Sequence, residues 1–309
     1  MISVKNLRKT FGSFLAVDAL SFHVARGEVL GFLGPNGAGK STTMKMITGF
    51  LRPDGGEIFV NGIDVLTEPM RAQKEFGYLP EGAPAWPEMT PRAFLNFIAS
   101  IRGLSGLERD RACDKAIAIT ELHAVLDQPI DTLSKGFRRR VGLAQAIMHD
   151  PSILIMDEPT DGLDPNQKHH VREAISEMAQ SKAIIISTHI LEEVEAICTR
   201  ALVIDRGQLV ANGTPAALAG QSRYRGAVSL TVPTEGVSLI IQSLQSWPEI
   251  ISIEQVQRGP EMSVVLFPNE GQAQSVIARI QARSDWVVKG LALEHGRLDD
   301  VFRSLTGRP

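Results

Sequence analysis

The chain has 309 residues, of which 43% are hydrophobic, with a formal net charge of −3 at pH 7 and an isoelectric point near 6.2. This length predicts one large domain or two smaller ones, and the slight acidity excludes a global basic field for nucleic acid. Cys113 and Cys198 lie far apart and no stretch approaches the roughly 18 apolar residues of a membrane span, so we expect free thiols in a reducing cytosol and a chain soluble on its own.

A glycine-rich loop follows the first long apolar run, GEVLGFLG. The sequence GPNGAGKS matches the pattern G-x-x-x-x-G-K-[ST], in which glycines let backbone N–H groups turn toward phosphate oxygens. Lys40 would place a charge on the β- and γ-phosphates, Ser41 would offer a hydroxyl to Mg²⁺, and a helix predicted from about Ser41 would present its positive end to the same anion. The predicted nucleotide-binding residues here are Gly34, Pro35, Asn36, Gly37, Ala38, Gly39, Lys40, Ser41 and Thr42.

The middle of the chain, about residues 84–150, has a different pattern. Thr90 and Pro91 provide a capping oxygen followed by proline at the first helical position, which predicts a helix start. RAFLNFIASIRGL and RDRACDKAIAITELHAVL then show the helical spacing of apolar residues. We therefore predict an all-helical insert.

A second apolar run, ILIMDEP, ends in two carboxylates. Asp157 is predicted to hold Mg²⁺ through water. Glu158 is the candidate general base, since a carboxylate can take a proton from a water at the in-line position. The alternative is an acidic strand end that only caps the following turn. The phosphate loop earlier in the chain favours the catalytic interpretation.

The first 215 or so residues alternate strand and helix signals, and AIIISTH and ALVID are predicted to form two further buried strands. This alternation predicts an α/β fold with a parallel sheet, interrupted by the helical insert. From Arg225 the pattern changes to strand AVSLTV, helix SLIIQSLQ, strands ISIEQVQ and MSVVLF around the turn RGPE, helix GQAQSVIARIQA, strand WVVKGLALE and helix RLDDVFRSL. This order predicts a small C-terminal α+β domain of the split-βαβ kind over residues 222–309.

Three further motifs follow the phosphate loop in a fixed order. The segment LSKGF precedes the two carboxylates, DGLDP follows them, and Thr188-His189 follow the strand AIIIS. This order resembles the signature motif, D-loop and switch histidine of ATP-binding cassette (ABC) ATPases. The resemblance covers residues 1 to about 215 and implies a P-loop NTPase core of the ABC ATPase type with a helical signature subdomain.

The resemblance further implies ATP and Mg²⁺ as cofactors, and an active site shared by two copies of the chain. Phe11 would stack on adenine, and His189 would contact the γ-phosphate and hold Glu158 in place. Ser134 and Gly136 stand just before the predicted helix RRRVGLAQAIM, whose start would offer a second anion site to the ATP of the facing copy. Asp164 would connect the two sites. ATP would therefore close a homodimer, and hydrolysis would reopen it.

Four positions depart from the family pattern. Glu81 stands where glutamine is usual: its carboxylate can bind Mg²⁺ and accept from water, but it cannot donate, and it adds charge. In the signature, Lys135 replaces glycine and Phe137 replaces glutamine, and in the D-loop Asp161 replaces serine. These loops resemble those of bacterial ABC exporter ATPases with separately encoded permeases, of the gliding-motility and drug-resistance type.

Two surfaces of the insert are also predicted. YLPEGAPAWPEMTPRAFLNF links the core to the insert, where family members receive a permease helix; Trp86 and Met89 would line this groove, or alternatively only pack the insert against the core. Arg138, Arg139 and Arg140 are interpreted most simply as a solvated helix face.

Three functional classes are compatible with these motifs: an exporter ATPase subunit, a soluble ABC ATPase acting on ribosomes or DNA, and a nucleotide-gated regulatory module. The second class usually carries two cassettes or a long coiled coil, whereas this chain has one compact cassette and no heptad insertion. The third class would be expected to lose Glu158 or His189, and both are present here. The sequence therefore favours an ATP-hydrolysing exporter subunit on the cytoplasmic face of the cell membrane. Its expected partners are an integral membrane permease and a second copy of itself, with no nucleic acid; the transported substrate is not specified.

Overall fold

The computed structural model describes residues 1–258 and 261–307 and divides the chain into two compact units, Met1–Pro215 and Ala216–Pro309. The predicted turn RGPE includes Gly259 and Pro260, which lie outside the described residues. None of the helices within these ranges is both long and apolar enough to cross a membrane.

The first unit is built on two sheets. Its strands are β1 (Ile2–Phe11), β2 (Phe14–Val24), β3 (Val29–Leu33), β4 (Gly55–Val60), β5 (Ile63–Asp64), β6 (Phe76–Leu79), β7 (Ile153–Asp157), β8 (Ala183–Thr188), β9 (Arg200–Asp205) and β10 (Gln208–Gly213). The larger sheet has the order β10-β9-β3-β8-β7-β6, and the smaller antiparallel sheet has the order β2-β1-β4-β5. The prediction of an α/β fold is therefore confirmed.

The larger sheet is parallel from β9 to β6, and only β10 joins it antiparallel. Every residue of β3, β6, β7 and β8 is buried. Continuous apolar runs of this kind form strands that are covered on both faces. The register aligns Leu33 with Thr188 and Asp157 with Ser187. The carboxyl ends of β3, β7 and β8, with the polar residues that follow them, therefore meet at one edge.

The helices of the first unit are α1 (Lys40–Ile47), α2 (Pro69–Ala72), α3 (Pro91–Ile101), α4 (Gly106–Ile119), α5 (Lys135–Ile147), α6 (Pro165–Ala179) and α7 (Leu191–Ile197). Helices α3, α4 and α5 form the predicted insert. Thr90 caps α3, because its hydroxyl accepts a hydrogen bond from the Ala93 N–H at 3.2 Å, and Pro91 is the first helical residue. Helix α4 ends earlier than predicted, because Glu121 has a left-handed φ of 51° that turns the chain out of the helix.

The second unit has the predicted βαββαβ order. After the short α8 (Pro215–Ala219) come β11 (Val228–Pro233), α9 (Val237–Gln245), β12 (Ile250–Arg258), β13 (Glu261–Pro268), α10 (Ala273–Gln281), β14 (Gly290–Leu293) and α11 (Leu298–Thr306). The antiparallel sheet has the order β12-β13-β11-β14, and its apolar face packs on α9 and α10. Strand β14 is shorter than predicted: Trp286, at the start of the predicted strand, stacks on Trp247 instead of pairing in the sheet.

Candidate active site

The phosphate loop connects β3 to α1, as its sequence predicted. Gly39 precedes the helix with φ of 104°, and a Cβ there would lie only 2.5 Å from the carbonyl oxygen of Ala16, so the close approach of these two segments requires glycine. Lys40 is buried and donates to the carbonyl oxygens of Gly34 at 2.7 Å and Pro35 at 3.2 Å. The loop and its lysine therefore form a compact, preformed unit.

A cavity of about 300 Å³ opens above this loop. The lining residues are Phe11, Phe14, Ala16, Asn36, Gly37, Gly39, Lys40, Ser41, Thr42, Glu81 and Glu158. The fold thus brings most of the predicted nucleotide contacts together with two carboxylates from the ends of β6 and β7. Phe14 and Ala16 were missed by the sequence reasoning; the alignment of Phe14 with Phe11 across the β1–β2 hairpin is a feature of the pairing, not of the motif.

Lys40 is the cation of this cavity. Burial lowers the pKa of Lys40 below its ordinary value, while Glu158, Asp157 and Glu81 act in the opposite direction. A partly desolvated ammonium group next to carboxylates gains from the arrival of further negative charge, because screening by water is reduced there. Lys40 therefore favours an anionic group at the loop, while the carboxylates of Glu81, Asp157 and Glu158 favour a cation beside it.

Asp157 is the most deeply buried carboxylate of the site, with 1% of its surface exposed. The Ser187 hydroxyl donates to its Oδ1, and its Oδ2 has no hydrogen-bond partner among the described residues. A buried carboxylate oxygen without a donor is costly unless a cation faces it. Ser41 and Glu81 present further hard oxygen ligands to the adjoining cavity. These oxygen donors fit Mg²⁺.

Glu158 follows Asp157 with a left-handed φ of 54°, and its N–H donates to the Ser187 carbonyl at 3.1 Å. The His189 Nδ1 lies 2.9 and 3.0 Å from the two Glu158 carboxylate oxygens. Burial raises the pKa of Glu158, while the hydrogen bond to His189 and the charge of Lys40 lower it. A carboxylate with a raised pKa that is oriented by a histidine can act as a general base.

The signature residues lie away from this cavity. Ser134 caps α5, where its hydroxyl accepts from the Phe137 N–H at 3.3 Å, so the helix begins at Lys135 and Gly136 lies within its first turn, not before it as predicted. A Cβ on Gly136 would lie 2.8 Å from the Gln167 side-chain oxygen. Asp164 caps α6 by accepting from the Gln167 N–H at 2.9 Å. These three predicted ATP contacts do not line the cavity of their own chain.

Two of the departures from the family pattern form a pair. The Lys135 ammonium lies 2.7 Å from the Asp161 carboxylate, and the lysine stem covers Gly162. This hydrogen bond lowers the pKa of Asp161. The signature segment and the D-loop are therefore tied together within one chain by residues that both differ from the usual pattern.

The interpretation of the three arginines as a solvated helix face was wrong for two of them. Arg138 is exposed, but Arg139 and Arg140 are only 5% and 6% exposed. Arg140 donates to the carbonyl oxygens of Thr120 and Glu121 in the turn after α4. Arg139 points to the carboxylate edge of the sheet. The run of three charges in sequence gave no sign of this, because α5 is packed on more than one side.

A buried network that the motifs did not reveal lies behind His189. Glu193 on α7 is 1% exposed and accepts hydrogen bonds from the hydroxyls of Thr160 and Thr188, the latter at 2.9 Å. Thr160 follows the carboxylate pair, and Thr188 precedes His189. The network therefore connects the segments that carry both halves of the Glu158–His189 pair.

Comparison with known proteins identifies the family. The family model described as "ABC transporter" matches residues 17–161. The Nod factor export ATP-binding protein I of Paraburkholderia xenovorans is 35% identical, covering 99% of this chain and 97% of its own, and the linearmycin resistance ATP-binding protein of Bacillus subtilis is 30% identical, covering 100% and 99%. A solved ATP-binding subunit of an ABC transporter superposes with a TM-score of 0.67 at 32% identity, over 72% of this chain and 92% of its own. The chain therefore belongs to the ATP-binding subunits of ABC transporters.

Proposed function

We propose that this subunit hydrolyses ATP in a Mg²⁺-dependent reaction at the cavity above the phosphate loop. The observation that carries the proposal is the contact of Glu158 with His189 at one wall of a cavity whose floor is Lys40 and the loop. Phe11, half exposed at the rim, would stack on adenine, and the loop N–H groups and Lys40 would bind the phosphates.

Three oxygen-bearing residues would hold the metal: Ser41, Asp157 and Glu81. Mg²⁺ there would neutralise charge on the β- and γ-phosphates. Glu158 would accept the proton of the attacking water through its carboxylate. His189 would keep that carboxylate in place through its Nδ1 and reach the γ-phosphate with the rest of its ring. Glu81 would orient the water by accepting a hydrogen bond from it. This role differs from that of a glutamine, because the Glu81 carboxylate cannot donate a hydrogen bond.

A second copy of the chain would complete the site. Ser134 is exposed at the start of α5 and Asp164 stands at the start of α6, and neither residue lines the cavity above the phosphate loop of its own chain. A helix N-terminus attracts anions through its free N–H groups. We propose that Ser134 and Gly136 bind the γ-phosphate of the facing copy, that ATP closes the homodimer, and that hydrolysis opens it.

A permease is the proposed membrane partner. A groove of about 640 Å³ runs between the core and the insert, and Phe50, Met70, Trp86 and Ile101 in its lining are 49–72% exposed. Exposed apolar side chains that line a concave surface mark a contact site. Trp86 also packs on Phe94 and Phe97, which both belong to α3 of the insert, and Met89 does not line the groove.

The names of the relatives, Nod factor export and linearmycin resistance, support export as the direction of transport over a cassette uncoupled from transport. We propose that the first unit is the ATPase domain, with the insert as its signature subdomain, and that the second unit stabilises the homodimer. Deleting the residues after Gly220 tests the latter role: loss of the ATP-dependent dimer supports it, and a faster basal ATPase with the dimer intact contradicts it.

The proposed hydrolysis is tested with Glu158→Gln, which keeps the side-chain shape and removes the base. We expect ATP turnover to fall by about 10²- to 10⁴-fold, the range for a lost general base, while MgATP binding persists and traps a dimer in size-exclusion chromatography. Glu177→Gln, at an exposed position of α6, is the matched control. Turnover of the Glu158 variant within twofold of wild type would refute the assignment.

A further inference from the structure

Arg139 is a buried cation beneath the carboxylate edge, and the reaction described above does not use it. Its guanidinium donates to the Pro80 carbonyl at 2.9 Å and to the carbonyl oxygens of Asp157 and Glu158. Pro80 immediately precedes Glu81. One side chain from α5 therefore holds the backbone at the ends of both β6 and β7, where all three acidic residues of the site are attached.

The charge of Arg139 is also placed among these acids. Burial lowers the pKa of Arg139, and the carboxylates of Asp157, Asp161, Glu158 and Glu81 act in the opposite direction. Arginine stays protonated in proteins, so this position carries a permanent positive charge. Its acceptors at these contacts are neutral carbonyl groups, which do not offset its charge.

The backbone that Arg139 holds is unusual at Glu158. A non-glycine residue with φ of 54° is costly and persists only where its surroundings fix it. The carbonyl of Glu158 is one of the groups to which Arg139 donates, and the Glu158 N–H donates to Ser187. The turn is thus held from the α5 side and from the β8 side.

We propose that Arg139 is a positioning residue that fixes the Asp157–Glu158 turn against the end of β6 and compensates the negative charge of Glu81. This inference rests on the proposed ATP hydrolysis. The inference also explains why this chain accepts a carboxylate at position 81. The buried guanidinium of Arg139 is hydrogen-bonded to the carbonyl of Pro80, the residue before Glu81, and its positive charge offsets the additional negative charge. A merely structural arginine would hold α5 to the sheet without any dependence on the residue at position 81.

The test is a double-mutant cycle of Arg139→Gln and Glu81→Gln in the full-length chain, with Arg139→Lys as the conservative variant and Arg138→Gln as the exposed control. We expect Arg139→Gln to lower kcat about 10- to 100-fold, as for a misplaced catalytic group, with the KM for ATP changed less than threefold. The double variant is expected to be at least fivefold more active than the product of the single effects predicts. Arg139→Lys keeps the positive charge but loses the planar set of guanidinium N–H donors, so its kcat is expected to lie between those of wild type and Arg139→Gln.

Hydrogen exchange of the backbone separates this inference from the hydrolysis on which it rests. Arg139→Gln is expected to accelerate exchange at residues 158–161, without ATP, while the control variant leaves it unchanged. If the wild-type chain does not hydrolyse ATP but Arg139→Gln still accelerates exchange at residues 158–161, the proposed hydrolysis is refuted and the positioning role is kept. Unchanged exchange, or additive kcat effects with a parallel fall of the thermal midpoint, would overturn the inference about Arg139.

Discussion

His149 gives a prediction for the stability of the chain as a function of pH. Its Nε2 lies 3.3 Å from the Phe76 carbonyl oxygen, and its Nδ1 is buried without a hydrogen-bond partner among the described residues. Burial lowers the pKa of His149 from 6.5 to about 4, and the neighbouring Arg102 acts in the same direction. The folded chain therefore keeps this histidine neutral at a pH where the unfolded chain protonates it.

The sign and size follow from these two pKa values. Between pH 6.5 and pH 4 the unfolded state binds more protons than the folded state, so the contribution of His149 to stability is complete above pH 6.5 and is lost as the pH falls toward 4. At pH 5 the two values give a loss of about 2 kcal/mol, since each pKa unit corresponds to about 1.4 kcal/mol. Because His149 is only partly buried, solvent screening reduces the expected loss to about 1–2 kcal/mol.

Urea denaturation at pH 7.5 and pH 5 measures this effect. His149→Gln can keep the hydrogen bond to Phe76 but cannot titrate, so it should lose about 1–2 kcal/mol less than the wild type between the two pH values. His23→Gln, at an exposed position, is the control and should behave as the wild type does. Equal losses for the wild type and the His149 variant would refute the reasoning.

Three further predictions concern the architecture around the site. Gly77→Ala would place a Cβ into the Ala146 carbonyl and push α5 from β6, so its urea midpoint should fall by the equivalent of about 1–3 kcal/mol; an unchanged midpoint would contradict this contact. Thr90→Ala removes the cap on the Ala93 N–H and should cost about 1 kcal/mol, measured in the same way, with Thr90→Ser recovering most of it. At subsaturating MgATP, kcat/KM should decrease as acid protonates Glu158 of the free subunit, with a midpoint above the ordinary 4.5 because burial raises the pKa of Glu158, and Glu158→Gln should show no such acid limb; a limb that persists in the variant belongs to another group.

The phosphate loop shows where sequence reasoning succeeded. Its residues are consecutive, and the glycines, the lysine and the start of the following helix form one short segment. The sequence pattern is therefore enough to predict the conformation of the loop. The helix cap at Thr90 is local in the same sense. The alternation of apolar runs and helical patterns was enough for the α/β class and for the βαββαβ order of the second unit.

The arginines of α5 show where it failed. Side chains in a run of three charges point to different sides of a helix, and only the packing of α5 against β6, β7 and the turn after α4 decides that Arg139 and Arg140 are buried while Arg138 is not. The same holds for Glu193, whose neighbours in sequence on α7 gave no sign that it accepts from Thr160 and Thr188.

The family motifs, the order of the elements and the chemical types at the phosphate loop depend on residues close together in the chain, so all three could be predicted before the fold was known. The tertiary structure decided which side chains reach the site from a distance: the orphan oxygen of Asp157, the Glu158–His189 contact, and the guanidinium of Arg139 under both strand ends. Burial and charge at a point depend on every segment that packs there, and the register that aligns those segments arises only when the sheet forms.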